Sequence, residues 1–456
     1  MHRFHVQVNV KNAPVLDPDF LPIGLWNKAF LQTATKDVSF ALERENGQVA
    51  VVNTKLHGTE AMQDADRYYA DRLVKCMLWQ KGGFKVYVTD PVIYQQLKAA
   101  YAPGGSRAFD ADFMSTVYEQ PFEVVLCDKV PAEKGASQTI GRHLGGCRIG
   151  FDAGGSDRKV SAVIDGESVY SEETVWFPKI TADPDYHYEG IVAALKAAAQ
   201  KMPRVDAVGV SSAGIYIDNK TMVASLFLAV PKEQFKAKVQ DIYIRAVRDT
   251  FGPDVPLVVA NDGDVSALAG AMGLGENSVL GMAMGTSEAV GFVDAQGNIT
   301  GWLNELAFMP VDAKADAMVD EWSGDIGCGV KYFSQDGGIK LAPRAGIELD
   351  ENLSPAEKLK VVQALMAQDD PAAEKVYRSI GTYLGHSLAY YYDLYGCKHV
   401  LLLGRVMSGK GGDLILSECR RVLADEYPGC PVQPSLPDEK TRRVGQSAAA
   451  ASLPEV

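Results

Sequence analysis

The chain has 456 residues, 47% of them hydrophobic and 23% charged, an ordinary globular balance at a length that predicts two or three domains. Its net charge of −13 argues against nucleic acid as the main partner, because a phosphate backbone is gripped by clustered Lys and Arg. No apolar run reaches the roughly 18 residues of a membrane span, so no membrane partner is expected. The start, MHRFHVQVNVKNAP, lacks the apolar stretch of a signal peptide. The seven cysteines are scattered without a CxxC pair, which predicts free thiols and a cytoplasmic location.

In chain order, residues 1–145 read as an α/β unit, ended by the Gly- and Ser-rich stretch 134–146. VSFALERE and QVAVVNTKL are strands around the Asn46-Gly47 turn, a pair that suits the left-handed positions of a tight hairpin. TEAMQDADRYYADRLVKCMLWQ carries apolar residues at helical spacing. GFKVYVTD and EVVLCDK are strands. Between them Asp90 caps a helix that begins at Pro91. No catalytic constellation and no basic recognition helix falls in this part.

Two later stretches resemble each other. From Cys147 the chain reads CRIGFDAGGSDRKVSAVIDGESVYS, and from Val279 it reads VLGMAMGTSEAVGFVDAQGNITGW. Each is read as a strand, a turn rich in Gly, Ser and Thr, a second strand, a tight turn and a third strand. Such turns let backbone N–H groups crowd around an anion. The pair therefore predicts two phosphate-binding hairpins facing each other across a cleft. Between them, EGIVAALKAAAQK is a helix, and VDAVGVSSAG and PLVVAND are strands. VPKEQFKAKVQDIYIRAVRDTFG is read as one helix from Pro231, with Phe235, Val239, Ile242 and Ala246 on one face. Further on, Ser354-Pro355-Ala356-Glu357 is a capping box, and PAAEKVYRSIGTYLGHSLAYYYDLYG is a long helix. HVLLLG is a buried strand followed by SGKGG and another helix. A last helix near RRVGQSAAAASL is expected to pack back onto the first half. Alternating strands and helices predict an α/β architecture. The expected domains are 1–145, then 146–260 together with 441–456, then 261–440.

Four places carry candidate chemistry. Asp152-Ala153-Gly154-Gly155-Ser156 follows an apolar strand. An acidic residue there holds Mg²⁺ through water while bared amides hold phosphate, or the segment is a hairpin turn that carries an Asp. Asn261-Asp262-Gly263-Asp264 lies at the carboxyl end of a strand, where α/β sheets bind ligands. Asp262 there is a proton acceptor for an attacking hydroxyl, or a helix N-cap. Gly285-Thr286-Ser287 offers amides and hydroxyls to a terminal phosphate. Gly404, with Ser408, Gly409, Gly411 and Gly412, opens a helix whose N-terminus suits a nucleotide's phosphates or base.

The order of these four segments resembles the ROK family of bacterial sugar kinases and related repressors. The resemblance covers about residues 147–456. It implies a two-lobed, actin-like or ribonuclease H-like ATPase fold, here with an extra N-terminal α/β domain. DAGGS resembles the first phosphate motif, placing Asp152, Gly154, Gly155 and Ser156 near metal and phosphates. Asn261-Asp262 resembles the pair that binds a sugar hydroxyl and supplies the catalytic base. Gly285, Thr286 and Ser287 resemble the second phosphate motif, and HVLLLGRVMSGKGG, with Gly404 and Gly409, the adenosine segment. The resemblance implies ATP and Mg²⁺ as cofactors, a small sugar-like substrate, no nucleic acid, and a homodimer, since similar kinases commonly dimerise.

Departures accompany the likeness. Where the family shows Gly-Glu-x-Gly-His, this chain has Asn304-Glu305-Leu306-Ala307-Phe308. Glu305 keeps a sugar-binding carboxylate, and Phe308 replaces the His. The zinc-binding cysteine cluster that leads into Gly-Cys-Leu-Glu is here Gly327-Cys328-Gly329-Val330, so no structural zinc is expected. Glu288 in GTSEAVG is expected near a phosphate, which it would repel unless a cation intervenes. Arg405 replaces a glycine of the adenosine segment. The acidic group Asp316, Asp320, Glu321 and Asp325 is expected to be a solvated face. The sequence thus points to an ATP-dependent kinase acting on a hydroxyl of a sugar or sugar derivative. A non-catalytic ligand sensor or scaffold that kept the fold is the alternative, and an ATPase acting on another protein a third.

Overall fold

The computed structural model describes residues 1–135, 140–437 and 445–456. By its internal packing the chain divides into two units. The first comprises Met1–Ala136, Met282–Val290 and Trp302–Leu436, the second Ser137–Gly281, Gly291–Gly301 and Pro437–Val456. Residues 1–136 therefore pack in one unit with 302–436, where the sequence suggested a domain of their own. The ion pairs and aromatic packing described below are the reason.

The second unit is built on a five-stranded sheet in the spatial order Leu257–Asn261, Ala207–Ser212, Cys147–Ala153, Asp157–Ile164, Glu167–Val175. The first three run parallel and the last two add antiparallel hairpins. Asp165 and Gly166 take left-handed conformations at the second of these turns, as Asp-Gly pairs do. Side chains alternate between the faces of a strand. Ile149, Phe151, Val208 and Val210 are buried in the core that includes Leu195 of helix Pro184–Ala199 and Ile242 and Ala246 of helix Ile242–Phe251. Gly150 and Gly209 face the other way. There the helix Gln446–Ala451 packs directly on the strands, and a Cβ at either glycine would collide with its backbone at Ser447 or Ala450. Ser161 and Ser447 share a hydrogen bond of 2.7 Å on this face. Residues 438–444, the start of the expected last helix, lie outside the described residues; Gln446–Ala451 packs back as expected.

The first unit holds two four-stranded sheets. One orders Val49–Leu56, Lys36–Glu43, Lys85–Val88 and Glu123–Leu126. Asn46 and Gly47 form its first turn with positive φ, and Asp90 caps the helix Pro91–Ala100 through the amides of Val92 and Ile93 at 2.9 Å each. The other orders Glu288–Val293, Val279–Met284, His399–Leu403 and Gln433–Ser435. Helices Pro371–Tyr395 and Gly409–Glu426 pack on each other beside it. The predicted capping box at Ser354 and Glu357 is formed.

Two sequence expectations fail locally. The third strand of the second hairpin stretch is reduced to a single bridge, Val293 with Ile299. The helix from Pro231 is interrupted. It widens into a π-helical turn over Phe235–Val239, where the Gln240 amide reaches back five residues to the Phe235 carbonyl, and restarts only at Ile242 after Asp241. Apolar spacing alone does not register an inserted residue in a helix, which is what a π turn is.

Gly209→Ala places a methyl group against the Ala450 carbonyl. It is expected to destabilise the protein by about 2–3 kcal/mol, read as a lower urea midpoint with unchanged slope.

Candidate functional site

In the second unit the strand register decides which side chains meet. Ser211 pairs with Asp152 on one side and with Ala260 on the other, and Ser212 pairs with Asn261. Ala153, Ser212 and Asn261 thus end three adjacent strands at one level, with Asp152 and Ser211 one residue before it. The Ser211 hydroxyl donates to the Asp152 carboxylate at 2.9 Å. Gln446 donates to the Ser211 hydroxyl at 3.0 Å and to the Asp262 carbonyl at 2.9 Å, tying the two strand ends together.

Asn261, not Asp262, is the N-cap of helix Asp262–Leu274. Its side-chain oxygen accepts from the Gly263 amide at 2.7 Å, and its amide nitrogen donates to the Gly214 carbonyl at 2.7 Å. This settles the capping question left open at Asp262. A cap needs a non-helical backbone while its side chain reaches the second amide onward, and Asn261 alone has that conformation. Asp262 is left half-buried at the helix start, its carboxylate accepting from the Gly263 amide at 3.0 Å. Asp264 is buried and accepts from the Phe292 amide at 3.1 Å. Gly291 makes this possible, since a Cβ there would collide with the Gly263 carbonyl.

Both candidate carboxyls have their pKa raised above the ordinary value. Burial pushes Asp152 up to about 6, against the Ser211 hydrogen bond, and the nearby Asp262 charge adds to the rise. Burial likewise raises Asp262, opposed by the Gly263 amide and by the Lys179 charge. Two carboxylates that repel each other in a partly dry site are suited to hold a cation or to take up a proton.

The phosphate-type turn sits beside them. Gly155 and Ser156 are exposed, and the Gly154 carbonyl accepts from the Trp176 ring nitrogen at 2.7 Å. A Cβ at Gly154 would lie 2.7 Å from the Asp157 carbonyl, so this turn requires its glycine for close backbone approach and not for a left-handed φ. The Lys179 ammonium stands over Gly155, 3.0 Å from where a Cβ would be, and it also acts on Asp262. Sequence reading passed over Lys179, Ser211 and Gln446. Lys179 lies 24 residues beyond Gly155 in an unremarked Phe-Pro-Lys-Ile segment, and no spacing rule links the two.

The remaining candidates lie in the first unit. Thr286 and Ser287 are exposed at the turn after strand Val279–Met284, with open space above Gly285. Gly404, at φ 93°, abuts the Met284 backbone so closely that any Cβ would collide with it. The second phosphate-type turn and the Gly-rich loop are thereby neighbours. Gly409, at φ 62° with nothing near it, begins the 18-residue helix Gly409–Glu426. The free amides of that helix start are a ready anion site.

Glu288 does not point toward the exposed turn. It is the inward residue of the alternation and is only 3% exposed, with neither carboxylate oxygen hydrogen-bonded. Burial pushes it up to about 8, and the neighbouring Glu305 charge adds to this. The expected repulsion of a phosphate by Glu288 is corrected on this ground: strand alternation carries its side chain into the interior. Glu305 itself is half-buried, and Phe308 stacks 4.4 Å from Trp79.

The acidic group expected to be a solvated face is half structural. Asp325 is buried among Arg72, Lys75 and Arg107 at 2.8, 3.3 and 2.9 Å. Asp320 is buried and accepts from the Ser323 amide at 2.9 Å. Asp316 and Glu321 are solvated as expected, Glu321 pairing with Lys331. Cys328 is buried beside Asp325, and burial pushes its thiol up to about 12. Among the described residues no three His, Cys, Asp or Glu side chains form a metal-ligand group, and no helix is long and apolar enough to cross a membrane.

No protein-family sequence model matches the chain, and no curated protein matches it in sequence. Solved structures share its fold. The ROK hexokinase of Thermus thermophilus matches with a TM-score of 0.51 at 19% identity, over 67% of this chain and 97% of its own. A ROK-family transcriptional regulator, a homologue of the E. coli MLC protein, matches with a TM-score of 0.50 at 16% identity, over 68% of this chain and 79% of its own. The chain therefore has the α/β, actin-like fold found in ROK sugar kinases and ROK regulators. One fold carries both kinds of protein, so function rests on the site.

The Asp152 carboxyl is raised from 3.8 to about 6 in the folded protein. Between those values the folded state keeps a proton that the unfolded chain releases, so metal-free protein loses stability as pH climbs through that window and then levels off. Asp152→Asn should abolish this fall and be more stable than the parent at pH 7 by up to about 3 kcal/mol, at about 1.4 per unit. Denaturant midpoints of both proteins between pH 4 and 8 check this; parallel curves would refute it.

Proposed function

We propose that the chain is a ROK-type, ATP-dependent kinase that phosphorylates a hydroxyl of a sugar or sugar derivative. The observation that carries this reading is the cluster of the second unit: Asp152 and Asp262 with raised pKa values, beside an exposed glycine turn with Lys179 over it. Asp262 is the general base. Its carboxylate accepts from backbone amides alone, which leaves lone pairs for a substrate hydroxyl, and its raised pKa makes it a better acceptor at neutral pH. Asn261 is fastened by its two backbone partners, so it orients the helix start and keeps one N–H for a substrate hydroxyl.

The residues fit Mg²⁺ and a nucleotide. The uncompensated charge at Asp152 calls for a cation, which this carboxylate would hold through water. Bound Mg²⁺ supplies charge neutralisation for the transferred phosphoryl group. Gly154, Gly155, Ser156 and Lys179 are ligands for phosphate oxygens. Gly285, Thr286 and Ser287 are proposed as a second phosphate motif, and Gly404 and Gly409 receive a nucleotide at the open helix start. Glu305 binds a substrate hydroxyl. A cytoplasmic location and a homodimer belong to the same proposal.

A non-catalytic sensor is the second reading. It is favoured by Phe308, whose ring packs on Trp79 where a polar sugar ligand would stand, and by the likeness in fold to a regulator.

The test begins with calorimetric titration of Mg·ATP-γ-S, then of a panel of sugars and amino sugars in its presence. Nucleotide affinity that strengthens with one sugar supports the kinase. Asp262→Asn should then lower turnover of that sugar by at least about 100-fold with nucleotide affinity unchanged. Lys179→Ala should weaken Mg·ATP-γ-S binding by about tenfold, as loss of one charge-assisted contact does, with partial recovery in Lys179→Arg. Sugar binding without turnover in the parent protein would move the assignment to the sensor.

A further inference from the structure

The helix Gln63–Lys81 of the N-terminal region touches the segment that carries Glu305 at two points. The last carbonyls of a helix have no partner within it. Here the carbonyls of Trp79, Gln80 and Lys81 accept from the amides of Glu305 at 2.9 Å, Asn304 at 2.9 Å and Leu303 at 3.4 Å. Asn304 is buried in a left-handed conformation, φ 53°, immediately before Glu305, and its side chain accepts from the Tyr395 hydroxyl at 3.0 Å. Gln80 donates to the Leu394 carbonyl at 2.9 Å. The Trp79 ring, held by Asp110 at 3.2 Å, lies against Phe308.

The second point is one to two turns earlier on the same helix. Arg72 and Lys75, three residues apart and so on one face, reach Asp325 from the helix, and Arg107 joins them. Arg107 is also bidentate to Asp71 at 2.9 and 2.7 Å, and Lys75 binds both oxygens of Asp110 at 3.1 Å. The cluster is buried and balanced: Arg72, Lys75 and Arg107 against Asp71, Asp110 and Asp325. Burial opposes the Asp325 charge, but the three cations outweigh it and hold the carboxyl well below its usual range. From Asp325 the chain runs to Gly329, whose amide donates to the Met309 carbonyl at 2.9 Å and whose Cα lies against the Glu288 carboxylate.

We propose that helix Gln63–Lys81 is the positioning element of the substrate end of the site: its terminal carbonyls hold Glu305 and its cationic face anchors the same segment at Asp325. Residues 1–136 are then part of the site's framework and not an appended module. This rests on the substrate role given to Glu305 above, but its test needs no turnover. Arg72 and Lys75 touch no substrate and act through Glu305.

The test is on the full chain, with two readouts. One is amide hydrogen exchange at Leu303, Asn304 and Glu305. The other is the carbon-13 NMR titration of Glu288, which faces the titratable groups Glu305 and Tyr391. Displacement of Glu305 moves that titration, and so does displacement of Gly329 beside Glu288, so exchange at the three amides is the readout that assigns the change to Glu305. Arg72→Gln should speed exchange at the three amides at least tenfold and shift the Glu288 titration downward, while Arg72→Lys restores both. Arg72→Gln leaves the buried cluster one charge out of balance. The double variant Arg72→Gln/Asp325→Asn keeps the balance and should give the same shifts if the single variant does not fold. Unchanged exchange and titration in a folded variant overturn the proposal. Failure of the kinase reading alone would appear as absent turnover in the parent with these two responses intact.

Discussion

Three parallel strands that stop at one level are the constraint on which the candidate chemistry depends. Cys147–Ala153, Ala207–Ser212 and Leu257–Asn261 are locked in register. Their ends therefore present Asp152, Ser211 and Asn261 together, and Asp262 opens the helix that follows. The carboxyl end of parallel strands is also where following helices and turns leave backbone amides unpaired. Gly150 and Gly209 complete the arrangement, for only without side chains can helix Gln446–Ala451 lie on the strands and bring Gln446 to Ser211. The price is visible in the pKa values of the two aspartates, which burial raises, with the Asp262 charge adding to the rise at Asp152. A site that destabilises its own carboxylates is prepared for a cation or a proton.

The first unit solves a different problem. Its segment from Leu303 to Gly329 has almost no regular structure of its own, so its backbone groups must be satisfied from outside. The end of helix Gln63–Lys81 does this for Leu303–Glu305, and the charge cluster fixes the segment through the Asp325 side chain. Buried ion pairs add little net stability, but they are costly to break and favour one arrangement over others. This explains why residues 1–136 and 302–436 form a single unit.

The legible parts of the sequence were those governed by neighbours in the chain. Asn46-Gly47, Asp165-Gly166, the cap at Asp90 and the box at Ser354 each rest on residues within about four positions, and each is found. The glycine turns at Gly154 and Gly285 were legible as turns. What could not be read was the orientation of side chains and their distant partners. Glu288 looked like a threat to phosphate, and strand alternation turned it inward. The acid-rich stretch 316–325 looked like a solvated face, yet Asp325 is neutralised by cations about 220 to 250 residues earlier in the chain. The π turn at Phe235–Val239 and the missing third strand after Val293 were hidden because apolar periodicity tolerates one residue more or fewer.

By itself the sequence determined the α/β class and the first hairpin, since these follow from periodicity, turn chemistry and caps that act over a few residues; the actin-like fold was implied by the resemblance of the four segments to the ROK family. The sequence also identified Asp152, Asn261 and Asp262 as strand-end groups. Only the tertiary structure decided that Asn261 is the cap and Asp262 a half-buried carboxylate beside it, that Lys179, Ser211 and Gln446 join them, and that the N-terminal helix holds Glu305. Those outcomes depend on strand register, burial and long-range charge pairing, which are properties of the packed molecule and leave no spacing in the chain.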